Sequence, residues 1–349
     1  VYPQVFSTFA LHLVKHFLFL LFSYSPIPIH SFMSKILATC FALLFTSILG
    51  AQQIPLFTQY RDMQGLINPA AIPYGFFTDK HAGTIGLSFR RQWLDMPGPP
   101  TTQLLRGEYF FKDYSGVTIL TGGHLISDQT GPTGFTGLYG RIAGVITPDA
   151  EQGGLSFGLA AGGVQYRLKA SELKLRDKDD IRANEDRTKL YPDISLGAFY
   201  YQRLENLAED DYFYAGVSVP QLFALDLSAP TVATGSDILI RRIPHYYATM
   251  GWYHFITETS FIEPSVWVRY VKGVPLSVDL NCRYQAGGHF WVGAGGSIQG
   301  MIHAEAGFIL GKNMGFEQNL RFGYGFDYST RTYGPFVGTT HEVNLSFSF

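Results

Sequence analysis

The chain has 349 residues, enough for one large barrel or two ordinary domains, and 15 % are charged, against the roughly 25 % of an average soluble domain. A formal net charge of −2 supplies no basic field for nucleic acid, and two cysteines, Cys40 and Cys282, give little basis for a disulfide-stapled fold or a thiolate metal site. Low charge with 15 % aromatic residues and 38 glycines suits a wall that meets lipid on one side and a polar lumen on the other.

Residues 1–32 read as an over-extended start: Val5 to Tyr24 is largely apolar but is broken by His12, Lys15 and His16. The rival reading is an amino-terminal membrane helix. Residues 33–51 read as a secretory signal peptide, with Lys35 as the positive n-region, Ile36 to Leu49 as the apolar core, and Gly50 and Ala51 as small residues near a cleavage site. That removes Cys40 and leaves Cys282 alone in the mature chain. Residues 52–80 form a turn-rich lead-in. The Asn68-Pro69 step is a turn signal, since the residue before a proline is pushed out of the helical region. The lead-in is expected to lie in the periplasm, where it would contact a partner, or to enter a lumen and stop it leaking.

From about residue 81 to 349, strand-like runs follow one another. They fall at 82–92, 102–112, 115–126, 134–147, 154–169, 191–203, 212–220, 244–256, 260–271, 275–286, 289–299, 301–311, 318–328 and 339–349. About fourteen runs, mostly near the ~9–11 residues a tilted strand needs to cross a bilayer, predict an all-β, antiparallel transmembrane barrel. Thr84, Gly86, Ser88 and Arg90 alternate with Ile85, Leu87 and Phe89. Glu263, Ser265, Trp267 and Arg269 alternate with Ile262, Pro264, Val266 and Val268. The polar set is expected to face the lumen and the apolar set the lipid; Pro264 is a weak point, because proline removes a ladder hydrogen bond. In the last run Val343, Leu345, Phe347 and Phe349 alternate with Glu342, Asn344, Ser346 and Ser348. A strand ending this way is expected to close onto the first, which removes both edges; a soluble sandwich is the alternative on this feature alone. Tight connections at Asp113–Tyr114, Thr257–Thr259 and Ala286–Gly288 fall on the periplasmic side, and long ones at 170–190 and 221–243 fall outside. The charged run Arg176 to Asp180 reads as a solvated loop.

Two motifs carry a family resemblance. Phe57-Thr58-Gln59-Tyr60 followed by Leu66-Ile67-Asn68-Pro69-Ala70 resembles the amino-terminal signature of the PorP/SprF family, and Arg90-Arg91-Gln92-Trp93-Leu94-Asp95-Met96-Pro97-Gly98-Pro99-Pro100-Thr101-Thr102 resembles its second signature. The resemblance implies an outer-membrane barrel of Bacteroidetes linked to type IX secretion and gliding motility, with no catalytic activity and no cofactor. It implies type IX secretion or motility proteins as partners: a peptidoglycan-binding periplasmic protein, or a large surface adhesin. Pro97, Pro99 and Pro100 fix backbone angles, so this loop can hold one shape at low entropic cost. Trp93 and Met96 beside it are candidates for a plug, or for a rigid turn whose aromatic joins the interfacial girdle.

Enzymatic motifs are not found. Gly307 to Lys312 lacks P-loop spacing, and Gly293-Ala294-Gly295-Gly296 has Ile298 where a dinucleotide fingerprint needs its third glycine. Histidines are scattered over different runs. A Ser/His/Asn lipid-hydrolase site has Ser277 and Asn281 to offer, but no histidine at a suggestive spacing beside them. Glu263, Arg269, Asp279 and Arg283 read as lumen charges that pair or line water. The leading expectation is a non-enzymatic scaffold or accessory of type IX secretion in the outer membrane, in contact with its lipid; the alternative is a passive channel for a small solute.

Overall fold

The computed structural model describes residues 56–111, 117–169, 187–205, 210–222, 243–311 and 314–349. The leader, the signal peptide, the Asp113–Tyr114 turn and most of the connections at 170–190 and 221–243, with the charged run in the first, lie outside the described residues.

After a short lead-in come β1 (Gly83–Arg91), β2 (Thr101–Phe111), β3 (Val117–Thr130), β4 (Thr133–Ile146), β5 (Gly153–Leu168), β6 (Arg187–Leu204) and β7 (Asp211–Val219). They are followed by β8 (His245–Thr257), β9 (Ser260–Val271), β10 (Ser277–Ala286), β11 (Phe290–Ser297), β12 (Met301–Leu310), β13 (Asn319–Ser329) and β14 (Thr340–Ser348). Each strand pairs antiparallel with its neighbours in sequence, and β14 pairs with β1, from Thr84 opposite Ser348 to Arg91 opposite His341, so the sheet is a closed barrel with no free edge. All fourteen expected runs coincide with a strand.

Burial along the strands is inverted relative to a soluble protein. On β1, Thr84, Ser88 and Arg90 are buried while Ile85, Leu87 and Phe89 are 51 %, 52 % and 47 % exposed. On β14, Glu342, Asn344, Ser346 and Ser348 are buried and Val343, Phe347 and Phe349 lie on the outer face. A wall with apolar residues outside and polar residues inside is stable only with hydrocarbon around it. The long connections after β5 and β7 leave the end where β1 finishes, and the short turns after β8 and β10 leave the other. That difference puts the first end outside and the second in the periplasm.

Two strand boundaries depart from expectation. β3 runs on to Thr130 and joins β4 through Gly131 and Pro132, with Gly131 at φ 54°, and β6 starts at Arg187 rather than 191. The β3 extension is polar and the β6 extension is polar but for Leu190, so neither carries an apolar alternation, and at β3 Thr102 donates to Asp128 at 2.6 Å. Pro264 sits within β9 with its ring outward; the pairing with β8 is given by Gly251–Ser265 and His254–Ile262 and skips the proline between them.

Candidate functional site

The lead-in fills the lumen. A 3₁₀ turn (Tyr60–Met63), α1 (Gln64–Ile67) and α2 (Tyr74–Thr78) are joined by the Asn68–Pro73 segment. Tyr60, Arg61, Met63, Asn68, Phe76 and Phe77 are each 3 % exposed or less. Most of residues 57–77 face the lumen and are buried, while Thr78 and Asp79 are half-buried and Lys80 is exposed where the segment leads into β1. Among the described residues, Asn68 and Pro69 stand inside the barrel.

Charge holds the outer end of the plug. Glu342 on β14 accepts the backbone N–H groups of Thr58 and Gln59, at 2.7 and 3.1 Å, and so caps the 3₁₀ turn from the wall. The Thr58 hydroxyl donates to Asp327 at 2.9 Å and accepts from Arg90 at 2.6 Å, while Arg90 pairs with Asp327 at 2.6 Å and Glu342 at 3.2 Å. One level deeper, Arg283 on β10 donates two parallel hydrogen bonds to Asp62, at 2.9 and 3.1 Å, and a further one from Nε to Glu305 on β12 at 3.1 Å. Arg61 pairs with Glu305 and lies 3.6 Å from Glu263 on β9. Arg321 donates to the Tyr74 hydroxyl at 3.2 Å and its guanidinium lies 4.4 Å from the centre of that ring. Three guanidinium groups (Arg61, Arg283, Arg321) thus stand with three carboxylates (Asp62, Glu263, Glu305). Charges removed from water survive only when they are paired and hydrogen-bonded in this way. Burial alone would push the Asp62 carboxyl up; Arg283, with Arg321 behind it, outweighs burial and holds it well below the usual carboxylate range. Burial pushes the Tyr74 phenol up to about 12 against the two arginines, so it stays a neutral donor to Gln285.

The wall is also shaped to the plug. Asn68 donates to the backbone carbonyls of Ala198 on β6 (3.0 Å) and Val217 on β7 (3.3 Å), and its own carbonyl accepts the Ala70 N–H at 2.9 Å. Ser218 donates to the Ile67 carbonyl at 2.8 Å. A Cβ at Gly158 on β5 would lie 2.5 Å from the Pro69 carbonyl and the Ala70 nitrogen, so the plug backbone occupies the space that any other residue there would take. Lower down, Phe76 and Phe77 close the periplasmic half with aromatic contacts: Phe76 to Phe110 at 4.8 Å, Phe77 to Tyr212 at 5.3 Å and to Tyr253 at 5.4 Å. Such pairs add about 0.5–1.5 kcal/mol each beyond the area they bury.

The proline loop does something else. Met96 is exposed and Trp93 is half-buried. The Leu94 N–H donates to the Thr339 carbonyl at 3.0 Å, the Asp95 N–H to the Val337 carbonyl at 3.2 Å, and the Trp93 N–H to the Thr340 hydroxyl at 3.3 Å. The loop therefore lies along α3 (Gly334–Val337) and the start of β14, at the outer rim, with Met96 and Pro97 exposed and Pro100 buried. Trp93 adopts φ 54°, a left-handed conformation these contacts hold in place. Trp93, Met96, Pro97, Pro99 and Pro100, candidates for partner contact or a plug, thus belong to a loop held by its backbone at the rim, while residues 57–77 occupy the lumen. Val343, Leu345, Phe347 and Phe349 lie along the outward face of the closing strand and its end.

Sequence spacing missed His303, which the barrel brings to Asn281 from across β11. Ser277 does not join them: it accepts from Arg269 at 2.6 Å and donates to Gln299 at 2.9 Å, so Ser277, His303 and Asn281 form no triad. It also missed Asp62, Glu305, Asp327 and Arg321, because partners far apart in sequence meet only once the lumen is closed. Among the described residues, no three His, Cys, Asp or Glu side chains gather in a metal-holding group.

Solved structures with a similar strand arrangement include the translocator domain of autotransporter NalP from Neisseria meningitidis (12 % identity, 83 % of this chain and 95 % of that one, TM-score 0.44). A FadL homologue of Pseudomonas aeruginosa (10 % identity, 82 % and 93 %, TM-score 0.43) and the toluene transporter TodX of Pseudomonas putida (9 % identity, 81 % and 92 %, TM-score 0.42) are similar to the same extent. No curated protein matches the sequence significantly. A family profile described as "Type IX secretion system membrane protein PorP/SprF" matches residues 49–347.

Proposed function

The chain belongs to the PorP/SprF family of type IX secretion system membrane proteins and resides in the outer membrane, and from that premise we propose that it is a non-enzymatic scaffold of that machinery rather than a conduit. The observation that carries this reading is the filled lumen. Residues 57–77 pack against wall residues of most strands through paired charges, backbone clamps and aromatic rings. A passive channel needs an open path, and this path is taken up by the chain's own backbone. What remains for partners is the lipid-embedded outer face, the periplasmic turns and the outer loops. The barrel thus acts as an anchor: the turns meet a periplasmic subunit, such as a peptidoglycan-binding protein, or the outer loops meet a secreted adhesin. The rigid rim made by Trp93 to Pro100 against α3 is the preformed part of the outer surface.

The test is affinity capture of the tagged mature protein from native membranes, with mass spectrometry of the proteins recovered and planar-bilayer recording of the same preparation. Secretion-system or adhesin proteins in the eluate, with no steady conductance, are the expected result. A protein recovered alone that conducts ions would replace the scaffold by a channel.

A further inference from the structure

A groove lies in the outward face of the wall between β7 and β10. β8 and β9 pair through Gly251–Ser265 and again through His254–Ile262, and the ladder skips the two residues between on each strand. One of these is Pro264, which has no N–H to donate. Beside the gap is a space of about 320 Å³, walled by Phe213, Met250, Trp252, Pro264, Val266 and Leu280. It stands at mid-depth on the face that meets lipid, so it continues the hydrocarbon interface. The volume is at the lower end of the range for small-ligand sites, and a helix about 10 Å across is too thick for it, whereas an extended acyl chain is not.

A polar foot closes the periplasmic end of this groove. Asp211, the first residue of β7, accepts the Trp252 indole N–H at 3.0 Å and the Phe255 backbone N–H at 2.9 Å, and His254 Nδ1 lies 2.9 Å from it. The Trp252 ring, with its centre 4.9 Å from that of His254, is thereby fixed as the lower wall of the groove. A carboxylate can only accept, so Nδ1 carries the proton in this contact, and Nε2 of the neutral ring is left as an acceptor. The His254 side chain is 41 % exposed and shares its outward row with Met250 and Trp252. Glu258, exposed in the turn just below, adds a second carboxylate at headgroup level. This end therefore attracts a cationic hydrogen-bond donor and repels an anionic headgroup. We propose that the groove and its foot hold one amine-bearing phospholipid of the periplasmic leaflet, an acyl chain lying in the groove and the ammonium group donating to His254 Nε2 beside Glu258. The site is the same whether the barrel is a scaffold or a channel.

The test is native mass spectrometry of the protein purified from membranes in detergent, stripped of lipid, and titrated with phosphatidylethanolamine or with phosphatidylglycerol of the same acyl chains. Heat-modifiable migration verifies a folded barrel for each variant. The expected result is one phosphatidylethanolamine per barrel, bound about ten-fold more tightly than phosphatidylglycerol, as one hydrogen bond to a charged group allows. Val266→Trp fills the groove and abolishes binding of both lipids. His254→Ala brings phosphatidylethanolamine down to the level of phosphatidylglycerol, and His254→Gln, which keeps an acceptor, restores the preference. Leu105→Trp on β2, across the barrel, changes neither lipid. Equal binding of the two lipids, binding unaltered by Val266→Trp, or a second copy of the chain bound in place of lipid and lost on Val266→Trp overturns the proposal.

Discussion

Arg283 shows what a single side chain does in this lumen. It is fully buried and hydrogen-bonds one carboxylate on the plug and another on the wall, so its removal strands the Asp62 carboxylate while Glu305 keeps Arg61. Breaking a buried ion pair by removing one partner costs about 3–5 kcal/mol. Arg283→Met is expected to lose that much in urea unfolding from detergent micelles, whereas the double variant Arg283→Met, Asp62→Leu recovers most of it, because the plug–wall pair is removed together and Arg61 still pairs with Glu305 and Glu263. The depressed Asp62 carboxyl sets the acid limb. Its stabilising contribution is complete above the ordinary carboxylate value of about 4 and is lost progressively as the pH falls below that toward the folded-state value. Unfolding midpoints are therefore expected to stay flat from pH 8 to 5 for the Asp62–Arg283 contribution and to fall below pH 4, and Asp62→Asn flattens that fall. None of this pairing was legible in the sequence. Glu263 and Arg283 could be read as lumen-facing from the period of two, but their partners Arg61 and Asp62 lie in a segment with no periodicity.

At the scale of the element, strands and lead-in were legible to different degrees. Every β-strand left an alternation or an apolar run of about bilayer length, so boundaries came within a few residues except at the largely polar outer ends of β3 and β6. The lead-in left only a turn signal at Asn68-Pro69, which marks a bend without saying what the bend packs against. The wall glycines held the missing information: Gly158 is small because Pro69 and Ala70 lie on it, yet in sequence it reads as one glycine among 38. Deleting residues 56–79 is expected to leave a closed barrel, since β1 and β14 pair through their own backbones, but an open one. Planar-bilayer recording should then give a stable ionic conductance that the intact protein lacks; a silent deletion variant would mean that other parts of the chain close the lumen. The proline loop reads as rigid from sequence, as its contacts with α3 show it to be, but its place at the rim follows from tertiary packing that no local pattern encodes.

For the whole molecule, the period of two together with fourteen runs was enough to foresee a closed antiparallel barrel in a membrane, because the bilayer admits few other ways to satisfy every backbone group. Whether that barrel is hollow was not foreseeable, since a filled lumen and an open one have the same outward alternation. The contact between Thr58 and Glu342 also imposes an order in time. The two residues are 284 positions apart, and the wall that caps the first turn of the plug is among the last parts of the chain to be made. Contacts at such separation form late, after the entropy of closing a very long loop has been met. The aromatic floor around Phe76 and Phe77 draws on β2, β6, β7 and β8 and can gather earlier, while the charged outer half waits for the final strand. A chain truncated before β14 would therefore keep the Asp62–Arg283 pair and the aromatic floor but lack the Glu342 cap on Thr58 and Gln59, so closing the seam and capping the plug are one event.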